Sequence, residues 1–248
     1  MLNFLNGFVI INKKENKKEK VAKMQYTKID IETWDRKELF RLYTGKLKIR
    51  MELTVDIDVT NLLQFTKKRG IRFYPTMIWA VSKMINSREE FKYAYDENGD
   101  LIRWEFVSPS YTDFNPETKK FVKFITEYTD DFAVFYNRVV EDCKKHKNES
   151  GFLPNQPKNN FDISCLPWVR YNNLSLAIES EEKSLFPIVI WGKYQEEKGK
   201  MLMPVTTSVH HAVSDGFHLS RFFNELQTLI DNIEQVVDGA RLSNMRKD

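Results

Sequence analysis

The chain has 248 residues, enough for one domain with a sizeable core and too few for a multidomain assembly. Hydrophobic residues make up 42%, aromatics 13% and charged residues 29%, with 9 Gly and 8 Pro, a balance that excludes the disordered and fibrous classes. The formal net charge is +3, but residues 13–23 hold six Lys and two Glu. The remainder therefore carries −1 and lacks the clustered positive charge that a nucleic-acid surface requires.

The opening MLNFLNGFVIIN is apolar, but its lysines follow it and it is too short to span a bilayer, so neither a secretory signal nor a membrane span is expected. Residues 1–23 are expected to be a mobile appendage, with a membrane-surface anchor as the minority alternative. Residues 24–238 read as one domain and residues 239–248 as a C-terminal tail, because no repeat, low-complexity linker or composition shift interrupts the chain. Cys143 and Cys165 could form at most one bridge and stand at no metal-ligand spacing. A reducing cytoplasm and no bound metal are the expectation.

Thr33 is placed to cap a short helix through Tyr43, with Leu39, Leu42 and Tyr43 toward the core. Residues Lys46 to Asp58 alternate as a half-buried strand does, and Thr60 to Lys68 and Thr76 to Asn86 read as helices, the second just after Tyr74-Pro75. From Phe91 to Phe124 short strands are separated by turn signals, DENG at 96–99 and Asn115-Pro116. Asp130 to Lys145 reads as a helix, Gly151 to Asn160 as a loop, and Phe161 to Ser164, Phe186 to Lys193 and Met201 to Val209 as strands. Phe217, Leu219, Phe222, Phe223, Leu226, Leu229, Ile230 and Ile233 recur at spacings of three and four and predict a terminal amphipathic helix. This mixed order predicts an α/β fold, a two-layer sandwich whose mixed, largely antiparallel sheet is packed by helices.

One segment carries chemistry. Val209 to His218 reads VHHAVSDGFH and holds three of the four histidines, where an apolar strand hands over to the terminal helix. A histidine at a strand end can project a neutral imidazole into a cleft and serve as general base toward a hydroxyl or thiol. Zinc is the rival, but His210 and His211 are adjacent and only Asp215 is near, which matches no standard zinc spacing.

HHxxxDG followed by an aromatic and His resembles the signature of the chloramphenicol acetyltransferase family, and five further segments resemble that family in order. These are Trp34-Asp35-Arg36-Lys37-Glu38, Arg72-Phe73-Tyr74-Pro75, Glu117-Thr118 through Phe121, Ser164-Cys165-Leu166-Pro167-Trp168-Val169, and Gly192-Lys193-Tyr194, with Met203-Pro204 preceding the histidines. HHxxxDG alone is shared with dihydrolipoyl acyltransferases and peptide-synthetase condensation domains. The resemblance implies the acyltransferase fold, acetyl-CoA as co-substrate with no permanently bound cofactor, and a homotrimer with active sites between subunits.

It also implies residue roles. His211 would be the base, Ser164 the oxyanion donor, and Asp215 would pair with Arg36 to hold the loop. Arg72 and Lys193 would lie near the coenzyme phosphates and Tyr74, Trp168 and Tyr194 against its adenine or pantetheine. Tyr43, Leu47, Met51, Phe121, Phe152, Leu153 and Leu176 match positions lining the family's acceptor pocket, a set that suits a moderately hydrophobic aromatic acceptor. Departures fall at Ile49, Met51, Ser184 and Ile190. Ile190 stands where the family has a threonine hydroxyl, at a cost on the order of 1 kcal/mol in the transition state. The expected reaction is O-acetylation of chloramphenicol or a similar small xenobiotic. The alternatives are a different alcohol acceptor, or an idle ligand-binding homologue.

Overall fold

The computed structural model describes residues 26–176 and 184–244, with residues 240–244 as helix backbone only. The appendage expected at 1–23 lies outside the described residues.

The chain opens with β1 (Tyr26–Lys28), a short α1 (Lys37–Arg41) that continues as a π-helical turn over Leu42–Lys46, and β2 (Arg50–Asp58). The first helix departs from expectation. It is capped at Arg36, while the Thr33 hydroxyl turns back to the Asp30 carbonyl and carboxylate. Leu39 and Leu42 are exposed and Phe40 is the buried side chain, because the helix is one turn long and then widens, shifting the face that meets the core. The strand accordingly starts at Arg50.

Two helices follow, α2 (Thr60–Arg69) and α3 (Phe73–Asn86). The second begins three residues earlier than expected. Pro75 sits in its first turn, where a missing N–H costs no intrahelical bond. Next come β3 (Tyr93–Tyr95), β4 (Leu101–Trp104), β5 (Ser108–Asn115), β6 (Lys120–Ile125), α4 (Phe132–Lys145) and the two-residue β7 (Gly151–Phe152), which lies inside the expected loop. The chain closes with β8 (Asn160–Leu166), β9 (Ile188–Gly192), β10 (Gln195–Glu197), β11 (Lys200–His210), α5 (Gly216–Asp231) and α6 (Ile233–Asn244), the predicted terminal helix being interrupted at Asn232.

The large sheet has the order β10-β11-β9-β8-β5-β6-β7, with β2 on the other edge of β11. Its ladders β5/β8, β8/β9 and β6/β7 are parallel and the rest antiparallel. A separate antiparallel sheet runs β1-β4-β3. The mixed α/β sandwich is as expected, and β3 and β4 of the small sheet flank the expected DENG turn, whereas β1 and β10 were not among the expected strands.

Alternation decides which face of the large sheet meets the helices. Met203, Val205 and Val209 of β11, Val189 and Trp191 of β9, Ile163 of β8 and Tyr111 of β5 are buried with Trp79, Phe135 and Phe222 of the helices in the main core. The opposite face is polar: Arg50, Glu52 and Thr54 of β2 stand beside Ser208 and Thr206 of β11. A second, smaller core holds Phe40, Tyr93, Leu101, Leu185, Ala212 and Val213. It sits under the histidine turn.

Candidate active site

The turn after β11 is built from the second core upward. Ala212 and Val213 are buried there, and the His211 N–H donates to the Ile49 carbonyl at 2.9 Å, which leaves the His211 ring half-buried at the surface of the fold. Its Nδ1 lies 3.0 Å from the Ser214 carbonyl. A carbonyl only accepts, so Nδ1 carries a proton, and in the neutral ring the lone pair is on Nε2. Tyr43 stacks on this imidazole at 4.1 Å between centroids. His210 differs in kind: its Nδ1 accepts the Ala212 N–H, and burial, with Arg50 and His211 nearby, pushes its pKa down to about 4.

Asp215 closes the turn and starts α5. Its Oδ1 accepts the Phe217 N–H at 3.0 Å and faces the His218 Nδ1 at 2.7 Å, a reciprocal N-terminal cap. Its Oδ2 accepts from the Arg36 guanidinium at 3.0 Å, and Arg36 also reaches the carbonyls of Ala212 and His211. Burial alone would raise the Asp215 carboxyl, but the hydrogen bond and the charge of the Arg36 guanidinium, with His218 beside it, win and hold it below its ordinary value. Arg36 thus ties the short helix near the N-terminus of the domain to the turn that carries His211. His218 was present in the sequence motif without a role; an aspartate followed three residues later by a polar side chain at a helix start was the available signal.

Ser164 lies elsewhere in the same chain. It pairs with Ile190 of β9, and Ile190 pairs with Thr206 of β11, five residues before His211. Two strand spacings across and five residues along place it roughly 19 Å from His211, on the polar face. One chain does not bring Ser164 and His211 together.

The residues expected to bind coenzyme divide between two adjoining pockets. Tyr74, Trp168, Lys193 and Tyr194 line a groove of about 600 Å³, and Phe121, expected against the acceptor, lines it with them. Phe121 and Phe114 contact at 4.9 Å between centroids and Trp168 stands edge-on to Phe114 at 5.0 Å, so the three rings form one wall. The Tyr74 hydroxyl donates to the Thr112 carbonyl at 2.8 Å and is thereby held inside the fold. Arg72 lines a second pocket of about 390 Å³ with Lys144 and Lys147, sharing Asp113, Phe114 and Pro116 with the groove. Cys165 also faces the groove, but burial pushes its thiol up to about 12, so it stays protonated and inert near neutrality.

The remaining acceptor positions scatter. Met51 lies beside Val209 in the β2/β11 ladder and near Gly216, close to the histidine turn, and Leu47 is exposed. Leu153 packs on the main core, Phe152 is 82% exposed at the far edge of the sheet, and the Leu176 N–H donates to the Glu52 carboxylate. Two features have no motif. Tyr171 donates to the Ile190 carbonyl at 2.9 Å with its ring packed against Gly192, and Lys123 pairs with Asp162 at 2.6 Å on the face of Ser164.

Comparison with known proteins gives a consistent result. The sequence profile described as Chloramphenicol acetyltransferase matches residues 24–227. The chain is 40% identical over 210 residues to a chloramphenicol acetyltransferase of Campylobacter coli, covering 84% of this chain and 100% of that protein. It is 37% identical over 213 residues to one of Clostridium perfringens, covering 85% and 97%. A solved structure of a chloramphenicol acetyltransferase superposes with a TM-score of 0.74 at 22% identity, over 83% of this chain and 100% of that one, a likeness of fold. The chain is therefore an O-acetyltransferase belonging to the chloramphenicol acetyltransferase family.

Proposed function

We propose that the protein moves the acetyl group of acetyl-CoA directly to a hydroxyl of a small acceptor, with chloramphenicol, named in its relatives, as the first acceptor to test. The observation that carries the reading is the fixed tautomer of His211: Nδ1–H on the Ser214 carbonyl leaves Nε2 as a proton acceptor beside Tyr43. Nε2 takes the hydroxyl proton as the oxygen bonds to the thioester carbonyl carbon. The tetrahedral oxyanion accepts a hydrogen bond from the Ser164 hydroxyl; its collapse breaks the carbon–sulfur bond, and the departing thiolate regains the proton from Nε2. The raised thiol of Cys165 supports direct transfer over an acyl-cysteine intermediate. Arg36 and Asp215 act as positioning residues.

Ser164 and His211 stand too far apart in one chain to share a reacting centre, which supports a homotrimer whose sites pair His211 of one subunit with Ser164 of the next. The groove of Tyr74, Trp168, Lys193 and Tyr194 would hold the pantetheine arm and adenine, with Arg72 at the phosphates. The free thiols of Cys143 and Cys165 fit a reducing cytoplasm.

Thiol release from acetyl-CoA, with and without chloramphenicol, tests the reading. Release that requires both the acceptor and an intact His211 is expected; acceptor-independent release, or none with any alcohol, overturns it. A second reading, transfer to a different alcohol, is favoured by the ion pair on the Ser164 face.

A further inference from the structure

The wall expected to receive an apolar acceptor carries a pair of opposite charges. Lys123 and Asp162 meet at 2.6 Å, and Lys123 also lies 5.6 Å from the centroid of the Phe152 ring. Strand register fixes where this pair sits. Lys123 is opposite Thr112 in the β5/β6 ladder, and β5 runs parallel to β8 with Tyr111 beside Ile163, so the row from Lys123 continues through Thr112 to Ser164. Asp162 precedes Ser164 by two residues on β8 and therefore projects from the same face, roughly 7 Å away.

The Asp162 side chain is the more open of the two, 42% exposed against 22% for Lys123. One carboxylate oxygen takes the lysine, and the other has no hydrogen bond among the described residues. The carboxylate stands on the Ser164 face of the sheet, with the Arg50 guanidinium near enough for the two charges to interact. An apolar group placed there would strip water from the pair without returning a hydrogen bond, whereas a hydroxyl or amide N–H would replace that water.

We propose that Lys123 and Asp162 form a polar subsite of the acceptor site, selecting hydroxylated acceptors that carry a second hydrogen-bond donor about one aromatic ring away from the reacting hydroxyl. The proposal rests on the acetyltransfer reading above and narrows its acceptor class. A site built to bond a hydroxyl rejects the analogue without one far more strongly than a greasy pocket rejects an added hydroxyl. Neither residue touches the thioester or the attacking oxygen; both set which alcohol binds.

Two matched alcohols test it. In 1,4-benzenedimethanol a second hydroxyl occupies the para position, and in 4-ethylbenzyl alcohol a methyl replaces that hydroxyl. With acetyl-CoA, wild-type enzyme is expected to favour the diol at least tenfold in kcat/KM. The double variant Lys123→Met/Asp162→Leu, which leaves no charge stranded, should bring the two alcohols within a factor of two, the statistical advantage of two equivalent hydroxyls. If that variant does not fold, Asp162→Asn keeps the shape and should cut the preference at least threefold. Equal rates in wild type, no turnover of the diol, or a preference that survives the substitutions overturns the subsite. Chloramphenicol-dependent thiol release in the same preparation separates that failure from failure of the acetyltransfer reading, which predicts release whatever the diol does.

Discussion

At the scale of single residues, the adjacent histidines divide their work through their hydrogen-bond partners. His211 gives its Nδ1 proton to a carbonyl and keeps Nε2 free, whereas His210 spends Nδ1 on a backbone N–H and is buried beside Arg50. Replacing His211 with Ala should lower kcat by about 10³-fold or more, and replacing His210 with Ala should leave much of the activity, read by steady-state acetyl transfer. The reverse order would reassign the base. His210 makes a separate prediction about pH. Its folded pKa near 4 lies below the ordinary 6.5, so between these values the unfolded chain binds a proton that the native state refuses. That contribution to stability is complete above pH 6.5 and is lost as the pH falls toward 4. Urea midpoints measured from pH 7 to pH 4.5 should fall, and His210→Gln should flatten the decline. His211, Asp215 and Arg36 were singled out by the resemblance to the acetyltransferase family; the residues by themselves offered only a histidine pair at a strand end. The tautomer was not legible, because it depends on a carbonyl three residues away that only the folded turn brings to the ring.

At the scale of elements, legibility followed periodicity. β11 and α5 carry long uninterrupted patterns and were found where expected, while α1 is a single turn that widens into a π-helix and left no period to read. Clamps between elements leave even less trace. A Cβ on Gly192 would come within 2.9 Å of the Tyr171 ring and 3.0 Å of Pro204, and the tyrosine cannot readily swing aside, since its hydroxyl is bonded to the Ile190 carbonyl and to Thr206. Gly192→Ala should therefore cost about 1–3 kcal/mol and lower the melting temperature by several degrees in calorimetry. Because Gly192 also lines the groove, KM for acetyl-CoA should rise. Adding Tyr171→Phe releases the ring and should recover part of the stability; a melting temperature unchanged by Gly192→Ala would show that the ring moves freely.

At the scale of the whole molecule, the polar face of the sheet matters more than any single contact. The fold class was readable from element order and the histidine motif from its resemblance to the family, but the separation of Ser164 from His211 depends on strand order, which pairs β8 with β9 and β9 with β11 across long stretches of sequence. Two inactive proteins, His211→Ala and Ser164→Ala, should regain activity when their subunits are exchanged, toward roughly a quarter of wild type for random mixing. No recovery after verified exchange would place both residues of a site in one chain. The two cores carry a further consequence. The turn bearing His211 rests on the small cluster of Phe40, Tyr93, Leu101, Leu185, Ala212 and Val213, whereas the sheet and helices share the large one. A patch of that size opens at lower free energy than the body of a domain. Amide hydrogens from Ala212 to Ser214 should thus exchange with deuterium well before those of Val205 or Phe222, and on warming the enzyme should fall silent while its circular dichroism is still that of the folded protein.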